Sequence, residues 1–190
     1  MNVHTRELHD HGVSLWLDNL TRGLMTSGTL QRYIDELGIT GLTSNPTIFD
    51  HAIKNTDAYD DAIRSRRGGH RSPEELFFEL AIEDLSRAAD LFRPVYEHTH
   101  GIDGWVSLEV SPVLAHDAVS SVEVARELRR RAGRPNLFIK IPGTAEGLAA
   151  IEESIFGGTP VNVTLLFSAD HYQAAAEAYL RGIERRIAAD

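Results

Sequence analysis

The 190-residue sequence contains no cysteine, which excludes disulfide bonds and thiolate zinc sites. It has no apolar run near the roughly 20 residues that a membrane-spanning helix needs. The first twelve residues, MNVHTRELHDHG, lack the apolar centre of a secretory signal. Basic residues are outnumbered by acidic ones, and a net charge of -9 disfavours binding to nucleic acid. These absences predict a cytoplasmic protein with no membrane or nucleic-acid partner.

Short apolar runs alternate with amphipathic stretches along the chain, and 42% of the residues are hydrophobic, which is enough to form a core. The predicted strands are 13–19, 39–46, 105–112, 136–144 and 161–168. The predicted helices are 29–38, 52–66, 72–101, 120–133, 145–158 and 169–189, and 66–71 is predicted to be a loop. Strands that alternate with helices predict an α/β protein with a parallel sheet.

Several helix ends carry local signals. Ser72, Pro73 and Glu75 form the pattern of a capping box with proline at the first helical position. Gly133 is placed to end the helix before it, and Ser168 is placed to cap the last one. These signals define where the helical segments begin and end.

Two architectures are compatible with this alternation. A doubly wound sheet is complete at this length. A (β/α)8 barrel typically needs ~250 residues, so the chain would then form about five βα units of an incomplete barrel.

The distribution of polar residues along the strands favours the barrel. Side chains alternate between the two faces of a strand, and in NLFIKI Leu137, Ile139 and Ile141 lie opposite Phe138 and Lys140. The other strands repeat the pattern, with one apolar face and one polar face. A doubly wound sheet is covered by helices on both faces and should be apolar on both. The polar residues that could converge inside a barrel are Asp18, Asn45, Glu109, Lys140, Asn162 and Thr164.

Lys140 is the unusual member of this set, because lysine is rarely buried without a compensating partner. A buried amine can lose its proton near neutral pH, and a neutral amine attacks carbonyl groups to form Schiff bases. Asp18 and Glu109 are the carboxylates available to move protons. The alternatives are a structural lysine whose amine reaches solvent, or an ion pair with a purely structural role. His9 and His11 have no further ligands at metal-like spacing, so no metal site is predicted.

The stretches GLTSNPT (41–47), NLFIKIPGTAEGLAAI (136–151) and VNVTLLFS (161–168) resemble the signatures of the transaldolase family. WLDNL (16–20) and VSLEVSP (106–112) resemble its first strand and its glutamate-bearing strand. The residues of these motifs resemble those of the longer bacterial branch of the family, whose members are sometimes fused to glucose-6-phosphate isomerase. The resemblance implies a (β/α)8 barrel that transfers a dihydroxyacetone unit from a ketose phosphate (sedoheptulose 7-phosphate or fructose 6-phosphate) to an aldose phosphate in the pentose phosphate pathway.

The same resemblance implies a role for each matched residue and no metal or organic cofactor. Lys140 is the Schiff-base lysine, and Asp18 is the acid and base at the C–C bond. Glu109 and Thr164 activate the water of the carbinolamine and imine steps. Asn45 and Asn162 bind substrate hydroxyls, and Thr43 and Ser44 are their neighbours on the wall of the site.

The chain departs from the family after its fifth βα unit, since no later strand with a phosphate-binding serine and arginine is visible. We therefore expect residues 1–190 to form the N-terminal portion of a single barrel, with open sheet edges that allow self-association. Three explanations are compatible with such a partial barrel: a proteolytic remnant, a deliberate fragment or a truncated gene product. Three functions stay open: a transaldolase, a related aldolase that needs no sugar acceptor, and a chain without activity of its own.

Overall fold

The computed structural model describes residues 2–66 and 72–189. In these residues the strands form one open sheet in the order β1-β2-β3-β4-β5, and β1 with β2 and β4 with β5 pair in parallel. The strands are β1 Trp16–Leu17, β2 Gly41–Thr43, β3 Trp105–Glu109, β4 Leu137–Pro142 and β5 Val161–Thr164. Because the strands follow one another in sequence order without reversal, the sheet is that of an incomplete barrel and not of a doubly wound fold.

Helices separate these strands. In chain order they are α1 Val3–Asp10, α2 Arg22–Thr26, α3 Thr29–Arg32, α4 Pro46–Asn55, α5 Asp60–Arg66, α6 Pro73–His98, α7 Ala118–Ala132, α8 Ala145–Phe156 and α9 Ala169–Ala189. A π-helical turn, Tyr33–Leu37, extends α3, and 3-10 turns occupy Asp57–Tyr59 and Pro112–Leu114.

The predicted helix caps are confirmed. The Ser72 Oγ accepts a hydrogen bond from the Glu75 N–H at 3.1 Å, and the Ser72 N–H donates to the Glu75 carboxylate at 2.7 Å. The Ser168 Oγ accepts from the His171 N–H at 3.1 Å. Gly133 ends α7 with a φ of 58°, a left-handed conformation that glycine adopts without steric cost. These caps fix the helix ends because each satisfies a backbone group that has no partner inside the helix.

Some predicted elements differ from the structure. The first strand spans Trp16–Leu17 instead of 13–19, and Val13 is exposed. The helix predicted for 52–66 begins at Pro46, because Asn45 caps it, and it is interrupted at Thr56 before α5. The strand predicted for 161–168 ends at Thr164, since Leu165 has a φ of 63° that leaves the extended conformation. Helices α1 and α2 were not predicted, and most of the predicted 66–71 loop lies outside the described residues.

The chain divides into two compact units. The first contains residues up to Val106 together with Arg134–Asn136, and the second contains Ser107–Gly133 together with the residues from Leu137 onward. The core of the first unit includes Leu20, Leu42, Tyr59, Leu85 and Phe92. The core of the second includes Leu108, Leu128, Leu137, Ile139, Ile141 and Ile151. That residues 1–190 form a single domain stays a prediction.

Helices α8 and α9 pack closely in the second unit. A Cβ added at Gly182 of α9 would lie 2.8 Å from the Glu152 carbonyl oxygen and 2.8 Å from the Ile155 Cβ. Arg181 and Arg185 of α9 form ion pairs with the Glu152 carboxylate at 2.7 and 2.9 Å. Gly182 lets the backbones of α8 and α9 approach each other, and the two ion pairs stabilise the contact.

We expect Gly182→Ala to lower stability by about 1–3 kcal/mol, because the added methyl group meets backbone atoms that cannot give way. Helix propensity alone would favour alanine by about 1 kcal/mol, so the sign of the change is diagnostic. Gly23→Ala in α2 is the matched control, since its nearest atom would be 3.7 Å away. Urea unfolding followed by circular dichroism measures both variants. A stabilised Gly182→Ala protein would contradict the described α8–α9 packing.

The ion pairs of Glu152 also predict an acid-dependent loss of stability. Hydrogen bonds from Arg181 and Arg185 lower the pKa of Glu152, so its contribution is present above its unfolded pKa of about 4.3. The contribution is lost as the pH falls through the lower folded pKa. Glu152→Gln should therefore reduce stability at pH 6 and flatten its decline toward pH 3. The control Glu177→Gln, on an exposed part of α9, should leave that decline unchanged in urea titrations.

Candidate active site

The apolar face predicted for β4 is confirmed. Leu137, Ile139 and Ile141 are fully buried, whereas Phe138 on the opposite face is half-buried. Lys140 shares the face of Phe138 and retains 9% exposure. Leu108 on the apolar face of β3 is buried as well. Three apolar side chains therefore anchor the strand in the core, and this anchoring holds the lysine on the other face.

Glu109 of β3 compensates the amine of Lys140. The Lys140 Nζ lies 3.1 Å from the Glu109 Oε2, and the two side chains are 11% and 16% exposed. The backbone brings them together, since the Val110 N–H donates to the Lys140 carbonyl at 3.2 Å. At this distance an ammonium and a carboxylate form a charge-assisted hydrogen bond. Glu109 is therefore within proton-transfer distance of the amine.

Asn162 of β5 lies beside this pair in the sheet. It is the register partner of Lys140, and its Nδ2 donates to the Ser107 Oγ at 2.8 Å. Ser107 is fully buried and lies two residues before Glu109 in β3, on the same face. The structure thus adds Ser107 to the predicted site. Its position in the alternation of β3 was the only sequence signal for it.

Thr164 is the last residue of β5 and shares the face of Asn162. It is the register partner of Pro142, and its carbonyl accepts a hydrogen bond from the Gly143 N–H at 2.8 Å. Its side chain is half-buried near the carboxyl end of the strand. Four polar residues of the second unit therefore occupy neighbouring strands together with Lys140; they are Ser107, Glu109, Asn162 and Thr164.

Four other predicted site residues belong to the first unit. Asp18 is exposed directly after β1, Thr43 ends β2 and Ser44 is buried. The Oδ1 of Asn45 accepts the N–H of Ile48 at 2.9 Å and so caps α4. The cap uses the amide oxygen of Asn45, so a substrate-binding role would fall to its amide nitrogen. That these four residues converge with Lys140 stays a prediction.

A separate cavity of about 560 Å³ lies in the first unit, and none of the predicted site residues lines it. His9 lines this cavity, and its Nε2 lies 2.7 Å from the Gly38 carbonyl oxygen. Within residues 2–66 and 72–189, no group of three or more His, Asp or Glu side chains could hold a metal ion. His9 thus contacts the backbone that precedes β2.

The second unit thus presents an amine, a carboxylate, an amide and hydroxyl groups on adjacent strands, with Glu109 and Thr164 at the carboxyl ends of theirs. This is the position of the active site in barrel enzymes of the α/β class. The sequence model of the transaldolase/fructose-6-phosphate aldolase family matches residues 15–189. The chain belongs to this family.

Curated relatives agree with this assignment. The chain is 46% identical to the transaldolase of Thermobifida fusca, over 97% of this chain and 50% of the relative. It is 43% identical to transaldolase 2 of Nostoc punctiforme, over 97% of this chain and 49% of the relative. It is 41% identical to the transaldolase of Kocuria rhizophila, over 98% of this chain and 51% of the relative. The chain therefore spans about half the length of the curated relatives it matches.

Among the residues that the structure describes, no helix is both long enough and apolar enough to cross a membrane.

The Lys140–Glu109 pair predicts non-additive effects on stability. Glu109→Gln removes the carboxylate beside a nearly buried amine, and we expect a cost of about 2 kcal/mol. This is less than the roughly 3–5 kcal/mol of a fully buried pair, because both side chains keep some exposure. Adding Lys140→Met should recover part of that loss, because no ammonium is then left without its carboxylate. Urea unfolding of both single variants and the double variant measures the coupling, and strictly additive costs would contradict the pair.

Proposed function

We propose that this chain supplies the Schiff-base half of a transaldolase, with Lys140 as the nucleophile. The observation that supports this most directly is the amine of Lys140 held 3.1 Å from the Glu109 carboxylate on the polar face of the sheet. Membership of the transaldolase/fructose-6-phosphate aldolase family and the names of the matched relatives support it further. The proposed substrates are a ketose phosphate, either sedoheptulose 7-phosphate or fructose 6-phosphate, and an aldose phosphate.

The first proposed step is proton transfer from the Lys140 ammonium to the Glu109 carboxylate. The neutral amine then attacks the substrate carbonyl and forms a carbinolamine. Loss of water, with Glu109 and Thr164 guiding the proton, gives the iminium. The iminium accepts the electron pair of the neighbouring C–C bond as that bond breaks, and the departing piece leaves as an aldehyde.

After the new C–C bond forms, water adds to the iminium, the product leaves and the Lys140 amine is released. The remaining predicted residues act on the C–C bond and on the substrate hydroxyls. Asp18 takes the proton from the substrate hydroxyl as the C–C bond breaks, and returns it when the new bond to the acceptor aldehyde forms. Asn162, oriented by its hydrogen bond to Ser107, holds substrate hydroxyls. Asn45, Thr43 and Ser44 complete the wall of the site. This chemistry uses groups of the protein alone and calls for no metal or organic cofactor.

A second candidate, an aldolase that releases dihydroxyacetone, is favoured by the family description, which covers both activities. Product analysis separates the two, since an aldolase releases dihydroxyacetone without an acceptor aldose. We place the activity in the pentose phosphate pathway and in the cytoplasm.

Borohydride trapping tests the nucleophile directly, because the chain contains only two lysines, Lys54 and Lys140. With fructose 6-phosphate and borohydride, we expect a reduced three-carbon adduct on the peptide that carries Lys140. Lys140→Arg should abolish the adduct, since a guanidinium does not form the Schiff base. Lys54 lies on α4 with its amine 2.6 Å from Asp50 and a side chain that is 68% exposed, so Lys54→Arg is the matched control and should retain the adduct.

Peptide mass spectrometry locates the modified residue. A label on Lys54, or one that persists in Lys140→Arg, would contradict the proposed nucleophile. If no sugar is trapped, the result would support the third of the open functions, a chain without activity of its own.

A further inference from the structure

The cavity of the first unit has the size of a small-molecule site. Its volume is about 560 Å³, within the range of roughly 300–1,000 Å³ that ligand pockets occupy. Its lining residues run from His9 to Asp103, so all of them belong to the first unit. Ile39 and Thr40 line it directly before β2, whereas Thr43 lies at the other end of that strand. The cavity is therefore separate from the predicted site residues of this unit.

Part of the cavity wall is apolar. Ile34, Ile39, Leu91 and Val95 line it, and all four are half-buried. Their side chains thus keep apolar surface that a ligand can cover. Burial of apolar surface is the main source of affinity in small-molecule sites, in which a few polar groups fix the orientation of the ligand.

The charged groups of the cavity are acidic. Asp35 and Asp103 line it, and among the residues that the structure describes no lysine or arginine does so. The Asp35 carboxylate accepts a hydrogen bond from the Gln31 Nε2 at 3.0 Å, and the Asp103 carboxylate accepts one from the Ser14 Oγ at 2.6 Å. A carboxylate can accept several hydrogen bonds at once. The charge of the wall therefore favours a cation and disfavours a phosphate.

Three helix C-termini also border the cavity. His9 lies in the last turn of α1, Gly38 follows the π-helical turn that extends α3, and His98 and Thr99 end α6. The His9 Nε2 donates to the Gly38 carbonyl, 2.7 Å away, and so joins two of these ends. The C-terminus of a helix carries partial negative charge and stabilises cations. This second, independent feature has the same sign as the two carboxylates.

The helical turn in the wall is itself unusual. Ile34 and Asp35 belong to the π-helical turn Tyr33–Leu37. Single π-helical turns are rare and occur frequently at functional sites. Here the turn places one apolar and one acidic side chain on the same cavity.

We propose that this cavity binds a small organic cation in which a protonated amine is joined to an apolar body. The ammonium group donates charge-assisted hydrogen bonds to Asp35 and Asp103 near the helix C-termini, and the apolar body covers the isoleucine, leucine and valine side chains of the wall. The proposal does not rest on the proposed function, because none of the residues assigned to that chemistry lines the cavity.

Three probes of similar shape and different charge test the proposal: cyclohexylmethylamine, cyclohexylmethanol and cyclohexanecarboxylate. Each is titrated into the 190-residue chain at about pH 8, where the amine keeps its proton, and amide chemical shifts are followed by NMR. We expect saturable binding of the amine with a Kd of about 1 mM and shift changes at Gly38, Thr99 and Asp103. The alcohol should bind at least about ten-fold more weakly, and the carboxylate should not saturate.

A pair of double variants tests the role of the carboxylates. Asp35→Asn with Asp103→Asn removes the two charges that line the cavity, and it should weaken binding of the amine by about ten-fold or more. The control is Glu36→Gln with Glu97→Gln, which removes two charges from exposed neighbouring positions that do not line the cavity. Salt screens exposed charges, so the control should keep the Kd of the amine within about two-fold.

Three results would overturn the proposal. The first is the absence of saturable shift changes with the amine, and the second is a carboxylate probe that binds as tightly as the amine. The third is an equal Kd of the amine in both double variants. The comparison of probes uses the unsubstituted chain, so it stays decisive if the asparagine variant does not fold. None of these measurements depends on activity, so a failure of the Schiff-base proposal leaves the test intact.

Discussion

A lysine on an inner strand of a sheet is costly unless a negative charge compensates it. In this chain Glu109 supplies that charge at 3.1 Å from the Lys140 amine. The pair can form because Leu137, Ile139 and Ile141 are fully buried on the opposite face and hold β4 beside β3. Burial of the apolar side chains on one face of β4 thus holds the strand in a position where Lys140, on the other face, can pair with Glu109.

The same pair has two properties that an amine nucleophile needs. It keeps the lysine in a single place, because an ion pair with low exposure restricts the side chain. It also puts a proton acceptor within hydrogen-bonding distance of the amine. Asn162 and Ser107 extend this polar face to β5 and β3 with a hydrogen bond of 2.8 Å. Stability and proposed chemistry therefore depend on the same few side chains.

The second unit combines this polar face with closely packed helices. Helix α9 lies against α8 at Gly182, where an added Cβ would come within 2.8 Å of the Glu152 carbonyl oxygen. Arg181 and Arg185 of α9 form ion pairs with the Glu152 carboxylate at 2.7 and 2.9 Å. The backbone contact and the ion pairs thus hold the same two helices together.

Much of this structure was predictable from short stretches of sequence. The capping box at Ser72, the helix end at Gly133 and the alternating faces of β4 depend on residues within a few positions of one another, so local patterns reveal them. The strand predicted for 39–46 ends at Thr43, because Asn45 caps α4, which begins at Pro46. Other features required long-range contacts. Ser107 joins the site through a partner 55 residues away, and Gly182 matters because the α8 backbone lies against it. Sequence patterns specify which face of an element is apolar, whereas three-dimensional packing selects the partner that meets each face, because many partners are compatible with the same pattern.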